Sequence, residues 1–242
     1  MARKTTTARK KTSDRPAPRP KLARRLARGF LRALFGVFLL AVALIGLFAV
    51  VAPPTTPYML AEGRRLGGVE QDWVPMERIA PVMARSAVAA EDANFCLHWG
   101  LDLGAIRAAL EAGSDRGAST ISQQVVKNVY LWHGRSWARK ALEAVMTPAV
   151  ELVWSKRRIL EVYLNVAEFG EGIFGVEAAA RAYFGVGAGE LSAEQAARLA
   201  AVLPDPKGRS AAQPGPFVRE RAAAIADGAA TIERDGRADC FQ

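Results

Sequence analysis

The stretch EDANFCLHWG, residues 91–100, places carboxylates, aromatic rings and a histidine directly after an apolar segment, residues 79–90. Apolar residues at three- and four-residue spacing predict that the earlier segment is a helix. If that helix continues, Glu91, Phe95 and His98 lie on one face. Burial beside aromatic rings raises the pKa of a carboxyl group toward that of a useful base. Taken alone, the stretch is better explained as a solvent-exposed helix end.

A second polar stretch, GASTISQQVVKN at residues 117–128, contains two adjacent hydroxyl residues, Ser119 and Thr120, either of which can cap a helix. Gln124, Lys127 and Asn128 then share one face with Thr120. An amide, an ammonium and hydroxyl groups in a row suit a sugar and a phosphate oxygen. A polar surface helix is the alternative explanation.

A third stretch, RSWARKALE at residues 135–143, carries cationic side chains at helical spacing. Arg135, Arg139 and Glu143 form one stripe, and Lys140 flanks it. Arginine binds phosphate with two donors and lysine binds it as a point charge. The same row is also explained as ion pairs that stabilise a helix by about 0.2–0.5 kcal/mol.

The fourth stretch, KRRILEVYLN at residues 156–165, combines basic residues with an apolar pattern. Its residues Ile159, Val162 and Tyr163 are spaced as the buried face of a helix. For Glu161 a structural role is therefore preferred over a catalytic one.

The N-terminal part of the chain separates into a basic tail and a long apolar run. Residues 1–32 carry a net charge of +11, whereas the rest of the chain carries −2. Residues 33–52, ALFGVFLLAVALIGLFAVVA, contain no charge and no proline. Twenty helical residues span about 30 Å, the thickness of the hydrocarbon core of a bilayer. We predict a transmembrane helix here, because the run is too long for a cleaved signal peptide and too uniformly apolar for a buried core helix.

The basic residues before the apolar run give the expected orientation. Four arginines lie within residues 24–32, and Lys/Arg excess stays on the cytoplasmic side of a membrane. Residues 53–242 then face outward. A basic segment beside a transmembrane helix also binds anionic lipid headgroups, so nucleic-acid binding is not expected. Residues 1–20 have the composition of a disordered segment.

Beyond the apolar run the sequence shows helical rather than strand periodicity, so the predicted fold class is mainly α. We expect a basic cytoplasmic tail over residues 1–32, the transmembrane helix over 33–52 and one exported domain over 53–242. The predicted helices of this domain cover residues 77–92, 103–113, 136–165, 175–184, 192–203 and 217–234.

Cys96 and Cys240 are the two cysteines of the chain. Outside the membrane a disulfide between them is permitted, and it would pin the C-terminus; two free thiols are equally compatible with the sequence. No Cys/His cluster has the spacing of a metal site.

Together, the four stretches resemble the motifs of glycosyltransferase family 51. This family includes class A penicillin-binding proteins and monofunctional biosynthetic peptidoglycan transglycosylases. The family motifs E-D-x-x-F-x-x-H-x-G, G-x-S-T-I-x-Q-Q-x-x-K-N, R-x-x-x-R-K-x-x-E and K-x-x-I-L-E-x-Y-L-N are filled at every fixed position. Residues 175–185, GVEAAARAYFG, resemble a fifth motif. The resemblance covers roughly residues 58–235.

The resemblance implies a lysozyme-like α fold and a reaction on lipid II, a disaccharide-pentapeptide carried on undecaprenyl pyrophosphate. The growing lipid-linked glycan is the donor and lipid II the acceptor. The sugar is inverted, a β-1,4 bond forms and undecaprenyl pyrophosphate leaves. By the same resemblance Glu91 is the general base, and Glu143 acts at the leaving group through a divalent ion or an ordered water. The other implied site residues bind substrate: Asp92, Phe95, His98, Ser119, Thr120, Gln123, Gln124, Lys127, Asn128, Arg135, Arg139 and Lys140. Of these, Lys127, Arg135, Arg139 and Lys140 hold the pyrophosphate.

The resemblance also gives expectations about cofactors, partners and location. No cofactor is essential, and a role for Mg²⁺ or Mn²⁺ stays open because no dedicated metal cage is visible. The expected location is the inner membrane, with a periplasmic catalytic domain and class A or B penicillin-binding proteins or the divisome as partners. Transpeptidase signatures (S-x-x-K, S-D-N, K-T-G) do not occur, and the chain is expected to be too short for that domain. Two alternatives remain: a glycan-cleaving lytic transglycosylase and a non-catalytic membrane-anchored scaffold.

Overall fold

The computed structural model of the protein describes residues 21–111, 113, 119–134 and 136–242. The chain divides into two compact units, with the boundary between Leu44 and Ile45. The predicted disorder of residues 1–20 lies outside the described residues. Within the described residues the elements are ten α-helices, three short 3₁₀ turns and three very short strands. The predicted mainly α fold class is confirmed.

Helix α1, Lys21–Phe48, holds the apolar run. Within it, Arg24–Phe48 is the one helix in the described part of the chain that is long and apolar enough to cross a membrane. The helix differs from the predicted span, 33–52, because it begins in the basic segment and ends at Phe48. A turn replaces the last predicted residues, as Pro53 and Pro54 disfavour helical continuation.

The core of the second unit is built from helices that pack in two groups. Helix α3 (Pro81–Glu91) packs against α9 (Ala193–Val202) and α10 (Pro216–Arg234). Helix α5 (Ile121–Tyr130) packs against α6 (Trp137–Val153) and α7 (Lys156–Val166). The shorter helices are α2 (Pro57–Leu66), α4 (Leu103–Glu111) and α8 (Val176–Phe184). Alanines that are fully buried on α3, α8 and α9 let these backbones approach closely.

One predicted helix, over residues 136–165, is in fact two. The chain becomes extended at Trp154, whose indole Nε1 donates a 2.8 Å hydrogen bond to the carbonyl of Ile45. Ser155 then caps α7 by accepting a hydrogen bond from the amide of Arg158. A bonded indole and a serine cap therefore end one helix and begin the next.

Helix α2 was not predicted, although its start has a clear signal. Thr56 caps it by accepting a 3.1 Å hydrogen bond from the amide of Met59, and Pro57 takes the first helical position. The helix is only ten residues long, which leaves too few apolar positions to reveal its period.

A small sheet adds strands that the sequence did not indicate. Strands β1 (Glu70–Gln71), β2 (Glu168–Gly170) and β3 (Ile173–Phe174) have the order β1-β3-β2. Strand β3 pairs in parallel with β1, placing Ile173 opposite Glu70, and antiparallel with β2, placing Phe174 opposite Glu168. Strands of two or three residues are too short to show an alternating pattern.

Candidate active site

Glu91 is the last residue of α3 and is half-buried. Its Oε2 accepts a 2.8 Å hydrogen bond from Nε2 of Gln124, near the start of α5. Burial raises the pKa of Glu91, while the Gln124 hydrogen bond and the charges of Arg221 and Lys127 partly oppose that rise. A hydrogen-bonded carboxylate with a raised pKa suits a general base.

The helix that carries Glu91 does not continue, so the predicted common face of Glu91, Phe95 and His98 is wrong. Asp92 leaves the helical conformation, with φ at −163°. Its Oδ1 lies 2.8 Å from Nε2 of His98, and its Oδ2 accepts a 3.0 Å hydrogen bond from the amide of Ile121. Asp92 thereby ties the turn after α3 to the first residue of α5, which another helical turn would not allow.

The segment after Glu91 makes internal contacts that build the site, and that Asp92, Phe95 and His98 bind substrate stays a prediction. Phe95 is fully buried, with its ring 6.2 Å from that of Phe241 and 4.5 Å from Nζ of Lys156. The ring of Phe95 has no exposed surface in this structure. Asp92 and His98 are engaged with each other, and Asp92 is 8% exposed.

The start of α5 is fixed by a capping box. The Thr120 hydroxyl accepts from the amide of Gln123 at 3.2 Å, and the Gln123 side chain accepts from the amide of Thr120 at 3.1 Å. The same hydroxyl donates a 2.6 Å hydrogen bond to the carbonyl of Gly100. Thr120 and Gln123 are each 3% exposed, so the structure gives them a structural role, and that they bind substrate stays a prediction. Ser119 stays exposed, and its hydroxyl accepts a 3.3 Å hydrogen bond from Lys140.

Helix α6 presents a cationic pair to the buried carboxylate of Glu143, which is 2% exposed. Nη1 of Arg139 lies 2.7 Å from one carboxylate oxygen, and Nζ of Lys140 lies 2.5 Å from the other. The stripe is therefore an ion-pair cluster in this structure, with two cations held by one anion. The predicted Arg135 lies outside the described residues.

Lys127, on α5, lies within the electrostatic reach of both carboxylates. Burial lowers the pKa of Lys127, and the positive charges of Arg139 and Lys140 lower it further. The negative charges of Glu143 and Glu91 oppose this shift. Each charge acts through space, without a hydrogen bond to Lys127 among the described residues. A half-buried ammonium of this kind suits an anionic ligand.

Gln124 links two cavities. It lines a cavity of about 320 Å³ and donates its hydrogen bond to Glu91, which lines a second cavity of about 270 Å³. The first cavity also has Lys127 and Asn128 in its wall, and the second has Asp92, Asn94, Asp102, Ser119 and Thr120. Gln124 therefore bonds Glu91 and lines the same cavity as Lys127.

The far wall of the first cavity contains residues that sequence reasoning missed. The hydroxyl of Tyr58 donates a 2.5 Å hydrogen bond to Glu168, and the ring of Tyr58 stacks on His133 with centroids 3.5 Å apart. Nζ of Lys207 lies 3.8 Å from Glu168. These residues come from four separate segments of the chain, and none of them lies in a polar stretch that the sequence analysis singled out.

The donor groups of this site do not fit a resident metal ion. Among the described residues, no three His, Cys, Asp or Glu side chains are grouped to hold one. Both oxygens of Glu143 are occupied by cations. The described side chains therefore provide no site for a resident metal ion, and a divalent ion carried on the pyrophosphate stays a prediction.

Comparison with known proteins now identifies the family. A family model described as Transglycosylase matches residues 61–230. The chain belongs to the transglycosylase family. It is 62% identical over 220 residues to a biosynthetic peptidoglycan transglycosylase of Jannaschia sp., which covers 91% of this chain and 92% of the relative. Relatives of the same name from Caulobacter vibrioides and Rhodospirillum centenum are 45% and 47% identical, covering 91% and 92% of this chain and 98% and 96% of the relatives. The resemblance seen in the sequence is confirmed.

In this transglycosylase the predicted site residues fall into two groups. One group lines the cavities or the cationic cluster: Glu91, Ser119, Gln124, Lys127, Asn128, Arg139, Lys140 and Glu143. The other builds the turn after α3 and the start of α5: Asp92, Phe95, His98, Thr120 and Gln123, of which Asp92 and Thr120 also line the second cavity. The motif residues thus serve two purposes, and sequence spacing alone could not separate them.

Proposed function

We propose that this transglycosylase polymerises lipid II into β-1,4-linked glycan strands, inverting the donor sugar and releasing undecaprenyl pyrophosphate. The observation that carries the proposal is the placement of helix α5. Its Gln124 holds the carboxylate of Glu91, and its Lys127 lies within reach of the charges of Glu91 and Glu143. A base and a cationic cluster therefore serve one reaction centre.

The base is needed because a sugar hydroxyl is a poor nucleophile. Glu91 takes the proton from the 4-hydroxyl of the acceptor while that oxygen attacks the anomeric carbon of the donor. The bond to the pyrophosphate breaks as the new bond forms on the opposite face, which inverts the carbon. A positioned base contributes about 10²–10⁴-fold to such a step.

The cationic cluster serves the leaving group. A pyrophosphate needs no strong acid, but positive charge must stabilise its oxygens as the bond breaks. Lys127, Arg139 and Lys140 supply that charge, together with Arg135 by family resemblance. Glu143 orients Arg139 and Lys140, since it binds both. The pyrophosphate brings a negative charge to the half-buried Lys127, which forms no ion pair with the residues that the structure describes.

A glycan-cleaving activity is not favoured. A lytic enzyme acts on a substrate without pyrophosphate, which leaves the cluster of Lys127, Arg139 and Lys140 without a purpose. A scaffold would not need Glu91 and Glu143 both in place. The lack of transpeptidase signatures further indicates that the described activity makes strands without cross-linking them.

A second part of the proposal concerns location and partners. The apolar helix supports membrane anchoring. The arginines before it favour a cytoplasmic N-terminus and a periplasmic catalytic domain at the inner membrane. Other penicillin-binding proteins or the divisome are the expected partners. A C-terminal alkaline phosphatase fusion tests the orientation, because the reporter is active only outside the cytoplasm; an inactive, stably expressed fusion would contradict it.

A polymerisation assay tests the activity. Purified full-length protein is incubated in detergent with labelled lipid II, with and without moenomycin, an inhibitor of the family that the sequence resembles. In parallel, it is incubated with purified sacculi. We expect moenomycin-sensitive glycan strands from lipid II and no soluble fragments from sacculi. Fragments from sacculi without polymer from lipid II would favour the lytic alternative.

A further inference from the structure

The C-terminal part of the chain contacts the residues that flank Glu91. We call the contacting residues the C-terminal clamp; they are Arg221 on α10 and Arg237, Cys240 and Phe241 after α10. None of the four belongs to a polar stretch singled out in the sequence, and the cavities and the cationic cluster do not include them.

Two contacts of the clamp hold backbone carbonyls on either side of Glu91. Nη2 of Arg221 donates a 3.3 Å hydrogen bond to the carbonyl of Ala90, the residue before the base. Nη1 of Arg237 donates a 3.3 Å hydrogen bond to the carbonyl of Ala93, two residues after it. These carbonyls lie where α3 ends, so helical hydrogen bonds do not satisfy them.

The other two contacts hold the segment further along. Cys240 forms a disulfide with Cys96, a link across 144 residues. Phe241 is fully buried, and its ring lies 6.2 Å from that of the equally buried Phe95. The carbonyl of Phe241 in turn accepts a 3.3 Å hydrogen bond from Arg157 on α7. The clamp is therefore anchored in the core and reaches the segment through a covalent bond.

We propose that the C-terminal clamp positions Glu91, so that Arg221, Arg237, Cys240 and Phe241 are positioning residues for the glycosyl transfer. This inference rests on the proposed role of Glu91 as the base. The clamp holds the backbone on either side of Glu91, while Gln124 holds the carboxylate of Glu91.

The local structure explains why such support is required. Glu91 ends its helix, and only the 3₁₀ turn Phe95–Leu97 follows before the chain reaches Gly100. Among the residues between, Ala93 and Asn94 are exposed, so Asp92 and Phe95 supply the buried contacts of this segment. A displacement of about 1 Å at a catalytic group costs on the order of 100-fold in rate. A tether on each side of the base prevents that displacement.

Arg221 also adds charge near the base. Several groups act on Glu91 or are acted on by it: Gln124 and Lys127 on α5, Tyr163 on α7, Arg221 on α10 and the adjacent Asp92. The positive charge of Arg221 is the largest of the through-space effects that lower the pKa of Glu91. The Nε of Arg221 is buried and has no hydrogen-bond partner among the described residues. The guanidinium therefore lies beside Ala90 although only part of its hydrogen-bonding capacity is used.

The test compares variants of the full-length protein in the lipid II assay, with kcat, KM, the pH profile of kcat and the melting temperature as readouts. Cys240→Ala and Cys96→Ala break the same bond from its two ends. Arg221→Met removes both contact and charge, and Arg221→Lys keeps the charge. Arg219→Met is the matched control, since Arg219 lies on the same helix and, among the described residues, its side chain bonds only the carbonyl of Pro214.

We expect kcat to fall about tenfold or more in the two cysteine variants and in Arg221→Met, with KM changed less than about twofold. Arg221→Met also moves the acidic limb of the pH profile to higher pH, because the pKa of Glu91 rises when the charge is lost. Arg221→Lys restores the position of that limb. Arg219→Met changes neither kcat nor the profile.

Two results would overturn the clamp. The first is an inactive Glu91→Gln variant alongside full kcat in Cys240→Ala and Arg221→Met, which would leave the base assigned but the clamp unnecessary. The second is a loss of rate that is no larger than the loss of folded protein in the same variant. An active Glu91→Gln variant would instead refute the proposed base. If the variants do not fold, reduction of the wild-type disulfide below its melting temperature serves in their place: kcat must fall as two thiols appear, and constant kcat refutes the clamp.

Discussion

The side-chain amide of Gln124 donates a 2.8 Å hydrogen bond to the carboxylate of Glu91, although 33 residues separate them in sequence. The bond joins the C-terminal end of α3 to the first turns of α5. It is possible because Asp92 and Thr120 fix where these two helices end and begin. The position of Glu91 beside Gln124 therefore depends on how the two helix termini are capped.

Replacing Glu91 by glutamine removes the base with little change in shape. We expect lipid II polymerisation to fall by about 10²–10⁴-fold. Burial raises the pKa of Glu91, so its charged form is disfavoured in the folded protein, and its contribution to stability is lost as pH rises through the folded pKa. Glu91→Gln should therefore melt at the same or a higher temperature at neutral pH. A folded variant with a near-normal rate would refute the assignment.

Removing the hydrogen bond from Gln124 should change the pH dependence rather than abolish activity. The bond stabilises the charged form of Glu91, so the Gln124→Ala variant raises the pKa of Glu91. The acidic limb of the kcat profile then moves to higher pH, while the rate well above that pKa falls less. Gln195→Ala is a suitable control, because Gln195 caps α9 away from the site. An unchanged acidic limb would show that the hydrogen bond does not act on the base.

Lys127 should support activity at a cost in stability. Burial lowers its pKa, so the charged ammonium is disfavoured in the folded protein without substrate. We expect Lys127→Met to raise KM for lipid II and to lower kcat, yet to melt at the same or a higher temperature than wild type. Because the folded pKa of Lys127 is lowered, the gain in stability should grow as pH falls from the ordinary lysine pKa to the folded pKa, and should stay constant below it. Unchanged kinetics would count against contact with the pyrophosphate.

The sequence predicted the chemistry of the site better than its architecture. Glu91, Lys127, Arg139, Lys140 and Glu143 could be singled out because their residue types and spacing match a family pattern. The residues that fill the opposite wall of the cavity had no such pattern, since they come from separate segments that only the tertiary fold brings together. Local periodicity carries no information about that juxtaposition.

The helix boundaries show a similar limit. Helical periodicity continued through residues 136–165, but Trp154 leaves the helix to bond the carbonyl of Ile45. The turn after Glu91 likewise depends on the amide of Ile121, which lies 29 residues further on. Each break is stabilised by a partner distant in sequence, so local propensity could not locate it. The disulfide from Cys96 to Cys240 was left open for the same reason.

Glu143 is proposed to orient Arg139 and Lys140, and its buried ion pairs also contribute to stability. Replacing Glu143 tests both roles. Glu143→Gln leaves Arg139 and Lys140 without a charged partner in a site where the carboxylate is 2% exposed. Breaking a fully buried pair costs about 3–5 kcal/mol of stability. We expect a smaller loss, because Lys140 is nearly half exposed and can be rehydrated. Chemical denaturation of Glu143→Gln measures that loss, and polymerisation should fall further than the folded fraction does. If the rate falls only in proportion to the folded fraction, Glu143 contributes to stability and not to the reaction.

Phe95 distinguishes a core residue from a substrate ligand. Its ring is fully buried between Phe241 and Lys156, and removing such a ring costs about 3–5 kcal/mol of stability. Phe95→Leu keeps most of the apolar volume, so we expect it to fold, to melt at a lower temperature and to bind lipid II with an unchanged KM. Trp99→Leu is a useful comparison, because the ring of Trp99 is exposed in the same motif. A large rise in KM for Phe95→Leu, without a matching loss of folded protein, would show that Phe95 contacts the substrate. A normal KM with a lowered melting temperature places it in the core that supports Glu91.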